Sequence, residues 1–141
     1  MTKEKFKLLH SDLITQVQCI EHDLKLIYAG MHSGDFDENL DMLEKANLGT
    51  VIRKLKDLDY SDGHPDLSQQ DYALLEEIRA IRNYWCHQCF LDYVYIKDEW
   101  KRENEFQRIA QRLRQDENRT WDLHQHLQQL RLKTLKRYNR I

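Results

Sequence analysis

The sequence predicts a single all-α domain that spans residues 1–141 as an antiparallel bundle of four to five helices. The chain has only 4 Gly and 1 Pro, whereas a sheet protein needs turn residues roughly every 8–12 positions. Apolar residues recur at steps of three and four along most of its length, which is the spacing of one helix face. With 141 residues, of which 40% are hydrophobic, the chain can bury one core of ordinary size.

The first predicted helix covers residues 4–32, and Gly30 with the polar run 32–35 predicts its end. Its apolar stripe consists of Phe6, Leu9, Leu13, Val17, Ile20, Leu24, Ile27 and Met31. A second helix is predicted to begin near Asp37, an N-cap residue type, and Gly49 is expected to split it into two short helices. The second stripe consists of Leu40, Leu43, Leu48, Val51, Leu55 and Leu58.

A loop is predicted for residues 59–66, which contain Gly, Asp and the one Pro. Ser68 then begins the next helix, with Asp71 three residues later in the position of a capping box. The apolar side of that helix consists of Leu75, Ile78, Ile81 and Trp85. Residues 90–96 have a strand-like composition, but a lone strand would have no partner, so we expect helix or the exit of the helix there.

The last helical region is predicted to run from 97 to 138, with a break near 116–118 where the apolar repeat loses its register. Trp100, Phe106 and Trp121 are expected to fill the core.

Net charge is −2, but the charges are unevenly distributed. Residues 101–141 hold 11 Lys and Arg against 5 Asp and Glu, while residues 35–99 hold 7 Lys and Arg against 15 Asp and Glu. The basic C-terminal helix is therefore expected either to follow a phosphate backbone or to pair with the acidic middle of the chain.

The cellular compartment predicted for this chain is the cytoplasm. The first residues show no signal peptide, and no stretch approaches the roughly 18 apolar residues of a membrane span. Three cysteines in a chain without an export signal are expected to stay reduced. No cofactor is predicted.

The residues most informative about function lie at 76–87, in the helix that begins at Ser68. Arg82, Asn83 and His87 form an Arg-Asn-x-x-x-His motif. This motif, in a short all-helical chain, resembles the signature of the HEPN family, in which an Arg is followed by four to six residues and a His, often with Asn directly after the Arg. The layout of most of the chain fits the resemblance, while the residue-level match rests on those three positions.

The spacing of the motif constrains its geometry. Arg79, Asn83 and His87 share one helix face, whereas Arg82 lies about 100° from Asn83 around a regular helix. A single straight helix therefore does not point Arg82 and His87 the same way. Either a distortion near the motif or a dimer with two facing copies would bring them together, and the resemblance to catalytic HEPN domains implies a homodimer.

The resemblance implies a metal-independent endoribonuclease, acting as a toxin or phage-defence effector on RNA, with an antitoxin or regulatory protein as a possible partner. His87 would act as general base toward the 2′-hydroxyl of RNA, Arg82 would stabilise charge on the phosphate, Asn83 would position phosphate or His87, and Arg79 would bind substrate. An alternative is a non-catalytic HEPN-like module that binds a nucleotide, RNA or a protein. Arg82 and Arg79 can also simply pair with Glu76 or Glu77.

Other patterns in the sequence are less informative. Some toxins of this family carry a Tyr two residues after the His as the target of a nucleotidyltransferase antitoxin, and that position is Cys89 here. Cys86 and Cys89 are expected in the middle of a helix, where neither a thioredoxin-type redox site nor a zinc site with His124 and His126 is favoured. The four histidines at scattered positions, which are expected on the surface or in loops, are His10, His22, His32 and His64.

Overall fold

A computed structural model describes all 141 residues and contains five α-helices and no β-strand. The helices are α1 (Lys3–Met31), α2 (Phe36–Asp41), α3 (Leu48–Tyr60), α4 (Gln69–His87) and α5 (Glu99–Arg137). The predicted all-α bundle is confirmed. None of the five helices combines the length and the apolar composition that crossing a membrane requires.

The two longest helices, α1 and α5, pack side by side and run in the same direction. Met1 contacts Gln107, Gln16 contacts Glu117, and Arg140 contacts the carbonyl of Gly30, so residue numbers rise together along the pair. The bundle is therefore not antiparallel throughout. α4 runs opposite to α5, as the ion pair of Glu77 with Arg119 and the hydrogen bond of Trp85 with Asp116 show.

Helix boundaries differ from the prediction at several points. The second helix does split in two, but at residues 42–47, where the side chain of Asn47 caps α3 by accepting from the Thr50 amide. Gly49 lies inside α3. The N-cap of α2 is Asp35, because its carboxylate accepts from the amide of Glu38, and the predicted cap Asp37 lies in the first turn.

The second half of the chain follows the prediction more closely. The capping box at Ser68 and Asp71 is present with both of its hydrogen bonds. α4 ends at His87, and residues 88–95 form turns, which confirms a helix exit in place of a strand. The predicted break at 116–118 is wrong, because α5 continues unbroken through 39 residues.

One core fills the space between the helices. Trp85 and Phe106 are fully buried in it together with apolar residues of every long helix. The expectation that Trp100 and Trp121 also fill the core is wrong, since their side chains are 74% and 49% exposed. The stripe of the first predicted helix meets in this core, as do Leu48, Val51 and Leu55 of the second stripe. Leu40, Leu43 and Leu58 of the second stripe lie outside it.

Candidate functional site

Asn83 and His87 lie on the solvent-exposed face of α4. His87 is the last residue of the helix, and Asn83 lies one turn before it. Arg79 continues the same stripe toward the N-terminus, and its guanidinium is 3.4 Å from a carboxylate oxygen of Glu76. The imidazole of His87 and the amide of Asn83 make no hydrogen bond within the protein, so both face solvent free to bind a ligand.

Arg82 lies on a different side of α4. It is half-buried, whereas His87 is exposed, and the two are about 140° apart at about 100° per residue. α4 is regular up to His87, so the distortion that would align the two side chains within one chain is absent. The structure places Arg79, Asn83 and His87 along one face of α4 over two turns, and it points Arg82 away from Asn83 and His87.

The acidic residues of α4 are already paired. Glu77 accepts two hydrogen bonds from Arg119, at 2.6 and 2.7 Å, and these bonds lower the pKa of the Glu77 carboxyl. Glu76 contacts Arg79. Arg82 therefore has no ion pair with either glutamate, and the interpretation in which it is a charge partner of Glu76 or Glu77 is not realised.

The end of α4 is anchored from two neighbouring helices. The indole of Trp85 donates to Asp116 of α5 at 2.8 Å, and the Trp85 carbonyl oxygen lies 2.7 Å from Nε2 of His10 on α1. The carbonyl only accepts, so His10 donates through Nε2. The expectation that His10 lies on the surface or in a loop is wrong, because His10 is half-buried within α1. It donates to the Trp85 carbonyl, which lies at the end of α4 and has no partner within that helix.

The turns after His87 are tied back to α4 through Asp92. Its carboxylate accepts from the hydroxyl of Tyr84 at 2.9 Å and from the side-chain amide of Gln88 at 2.8 Å. Partial burial and the bond to Asp92 raise the pKa of Tyr84 to about 12. The guanidinium of Arg112 stacks over the Tyr84 ring at 3.7 Å. These contacts fix the backbone on both sides of His87.

The segment that follows His87 exposes several large apolar side chains. They are Phe90, Leu91, Val94 and Tyr95, and Trp100 lies shortly beyond at the start of α5. Monomeric proteins rarely expose many such residues close together. This exposed apolar segment therefore lies directly beside the end of the candidate site.

Cys86 and Cys89 do not lie in the middle of a helix as expected. Cys86 is exposed in the last turn of α4, and Cys89 lies beyond the helix and is buried. Burial raises the pKa of the Cys89 thiol to about 11, and the thiol donates to the Trp85 carbonyl. His124 and His126 lie near Asp23 and Asp71. No group of three or more His, Cys, Asp or Glu side chains is arranged to hold a metal.

A groove of about 470 Å³ lies between α3 and α4. Its lining residues are Ile52, Lys56, Tyr60, Gln69, Tyr72, Ala73 and Glu76. This groove arises only where α3 and α4 pack, so no local sequence pattern predicts it. The predicted loop at 59–66 includes Tyr60, whereas α3 continues to Tyr60. The sequence signal for the groove is limited to Lys56 and Tyr60, which lie four positions apart, and to Tyr72.

The cations of the basic helix α5 partly pair with acidic residues of the same chain. Arg119 bonds Glu77, Arg131 bonds Asp23 at 2.6 Å, and Arg137 bonds Asp66. Pairing within the chain is thus realised for part of α5.

No protein-family model, curated protein or solved structure matches this chain.

Proposed function

We propose that this protein is a metal-independent endoribonuclease of the HEPN type, a cytoplasmic toxin or phage-defence effector that cleaves RNA. The observation that carries the proposal is the exposed stripe of α4. Asn83 and His87 stand on it without partners inside the protein, and Arg79 lies one turn away. Polar side chains that a fold holds on a rigid helix and leaves unpaired are suited to bind and act on a ligand.

The chemistry uses the nucleophile that RNA itself carries. His87 removes the proton from the 2′-hydroxyl, and the oxygen attacks the adjacent phosphorus. The bond from phosphorus to the 5′-oxygen breaks, and that oxygen takes a proton from water or from the His87 of a second copy. Asn83 and the guanidinium of Arg82 bind the phosphoryl oxygens as negative charge builds. The products are a 2′,3′-cyclic phosphate end and a 5′-hydroxyl end.

A homodimer supplies the geometry that one chain lacks. Arg82 and His87 diverge on a regular α4, so the Arg82 that serves one His87 comes from the second copy. The exposed apolar residues at 90–95 follow His87 directly in the chain and offer a surface for that contact. The proposal therefore includes a two-fold assembly in which two α4 helices face each other.

A binding role without catalysis is the second candidate, and the half-buried position of Arg82 favours it. In that case Arg79, Asn83 and His87 bind RNA or a nucleotide, and no bond breaks. A partnership with a nucleotidyltransferase antitoxin that modifies a Tyr two residues after the His is not supported, because that position is Cys89, which is 1% exposed. Any neutralising protein therefore acts by another route.

The test compares His87→Ala with His64→Ala, because both histidines are exposed and only His87 belongs to the motif. We expect the parent and His64→Ala to cleave single-stranded RNA in EDTA and to leave 2′,3′-cyclic ends. We expect His87→Ala to lose about 10²–10⁴-fold in rate while helicity and melting temperature stay unchanged. A folded His87→Ala that cuts at the parent rate would refute the catalytic role, and RNA binding without cleavage by the parent would favour the second candidate.

A further inference from the structure

The α3–α4 groove has one rigid aromatic wall. Tyr72 is only 4% exposed, and its hydroxyl donates to Asp59 at 2.7 Å, so the ring has a fixed orientation. Tyr60 is 38% exposed, and its ring centre lies 5.9 Å from that of Tyr72 at an angle of 43°. Tyr60 is the ring of this pair that solvent reaches, so it is the ring against which a planar ligand can stack.

Polar groups surround the aromatic wall. Nζ of Lys56 lies 5.7 Å from the centre of the Tyr72 ring. Gln69 and Glu76 line the groove on the α4 side, where an amide offers both donors and an acceptor and a carboxylate offers acceptors. A planar heterocycle with hydrogen-bonding edges and a nearby negative charge matches this set of groups. A nucleobase with its phosphate has that chemistry.

The groove lies on the same side of α4 as the candidate catalytic stripe. Glu76 lies eleven positions before His87 on the regular helix α4, which places the groove about 16 Å from His87 along the axis. Arg79 lies between them, contacting Glu76 on one side. A Cβ added at Gly49 would come within 2.8 Å of Nε of Arg79, so this guanidinium lies directly against the α3 backbone.

We propose that the α3–α4 groove is a subsite for one base of single-stranded RNA, located a few nucleotides from the phosphate on which His87 acts. The base stacks on Tyr60, Lys56 contacts its phosphate, and Arg79 holds a phosphate between the groove and His87. This inference rests on the proposed function for the nature of the ligand. It adds the groove residues to those of the motif and assigns them to strand binding, not to bond cleavage.

The binding test uses a fluorescent single-stranded oligonucleotide of about ten residues carrying 2′-O-methyl groups, which cannot be cleaved through the 2′-oxygen. Anisotropy titrations compare the parent with Tyr60→Ala and Lys56→Ala. The matched controls are Trp121→Ala, an exposed aromatic residue of α5 outside the groove, and Lys54→Ala, an exposed lysine of α3 that does not line it. We expect Tyr60→Ala to weaken binding roughly tenfold or more and the controls to bind like the parent.

The variant Ala73→Leu extends the test in case Tyr60→Ala disturbs α3. Ala73 is exposed on α4 and lines the groove, so a larger side chain fills the groove without removing a contact. Normal binding by both Ala73→Leu and Tyr60→Ala would overturn the subsite. Equal weakening by Lys54→Ala and Lys56→Ala would also overturn it, because charge alone would then account for binding.

A cleavage experiment with a short and a long RNA distinguishes a failure of this inference from a failure of the proposed function. A dinucleotide is too short to reach from His87 to the groove, so Tyr60→Ala should cleave it like the parent while its KM for a ten-residue RNA rises. A parent protein that cleaves neither RNA refutes the proposed function, yet the anisotropy result still decides whether the groove binds a base. Equal loss of cleavage on both substrates would show that Tyr60 acts on folding or on the chemical step, which contradicts the subsite.

Discussion

Asp59 is a buried carboxylate on which three separate groups converge. It is 4% exposed and accepts from the amide of Asp66 at 2.7 Å, the amide of Leu67 at 3.0 Å and the hydroxyl of Tyr72 at 2.7 Å. Burial and this bond raise the pKa of Tyr72 above its ordinary value. One side chain thus closes the loop between α3 and α4 and orients the aromatic wall of the groove.

Removing this carboxylate should destabilise the protein strongly. Asp59→Ala leaves three donors without an acceptor in the protein, and those of Leu67 and Tyr72 are buried. Each unsatisfied buried group costs about 1–3 kcal/mol. We expect a loss of about 2–4 kcal/mol in the free energy of unfolding, measured by urea denaturation. Asp57→Ala is the control, because Asp57 is an exposed aspartate of the same helix. A loss no larger than that of the control would mean that water replaces the carboxylate.

The face of α4 could be predicted from spacing alone, and the anchors of its end could not. Arg79, Asn83 and His87 share a stripe because helical geometry relates positions four apart. His10 lies 75 positions before Trp85, and no local pattern indicates that its imidazole reaches that carbonyl. Such contacts depend on how α1 packs against α4, which is a property of the tertiary structure.

At the scale of the element, α4 begins with a strong cap. Ser68 and Asp71 exchange two hydrogen bonds, and Nε2 of His126 lies 2.9 Å from the second oxygen of Asp71. Burial alone would raise the pKa of Asp71, but the bonds with His126 and Ser68 outweigh it and lower that pKa from its ordinary value. Asp71 therefore stabilises the fold in its charged form.

The stabilisation by Asp71 should depend on pH in one direction. A carboxyl whose pKa is lower in the folded state contributes fully above its unfolded value, near 4, and loses that contribution as the pH falls through the folded value. Asp71→Ala should reduce the free energy of unfolding by about 1 kcal/mol at pH 6, and the difference from the parent should shrink by pH 3. Chemical denaturation at both values measures it, and a difference that grows toward pH 3 would contradict the assignment.

Two helix boundaries show why local patterns mislead. Gly49 looked like the break in the second helix, yet α3 begins at Leu48 because Asn47 caps it. Residues 116–118 looked like a break in the last helix, yet Asp116 accepts from Trp85 and Glu117 accepts from Gln16. Partners on other helices compensate for the weak helix propensity of such residues, and a local pattern does not show those partners.

At the scale of the whole molecule, the site should be complete only in a dimer. We expect sedimentation at micromolar concentration to report about twice 17.2 kDa. Leu91→Glu introduces a charge into the exposed apolar segment beside His87 and should yield a folded monomer that no longer cleaves RNA. Leu132→Glu is the control, because Leu132 is similarly exposed on α5 outside that segment. A parent protein that is a strict monomer, or a Leu91→Glu dimer, would contradict the shared site.

The direction of the helices was the part of the fold least accessible from the sequence. The predicted antiparallel arrangement holds for α3 and α4, where Tyr60 lies beside Tyr72 and Gly49 lies beside Arg79. The parallel pairing of α1 with α5 depends on distant contacts, such as that of Asp23 with Arg131. Periodicity identifies the buried face of each helix but not the helix that covers it.

The pairing of α1 with α5 also bears on how the protein is made. A ribosome releases the N-terminal helix first, and the apolar stripe of α1 has its main cover only once α5 has emerged. The indole of Trp85 likewise has its acceptor, Asp116, only after α5 has been synthesised. The growing chain therefore exposes an apolar helix for most of its synthesis, and such surface is prone to aggregation until α5 covers it. We expect a chain truncated before α5 not to fold as a smaller domain, because α1 would lack its main cover.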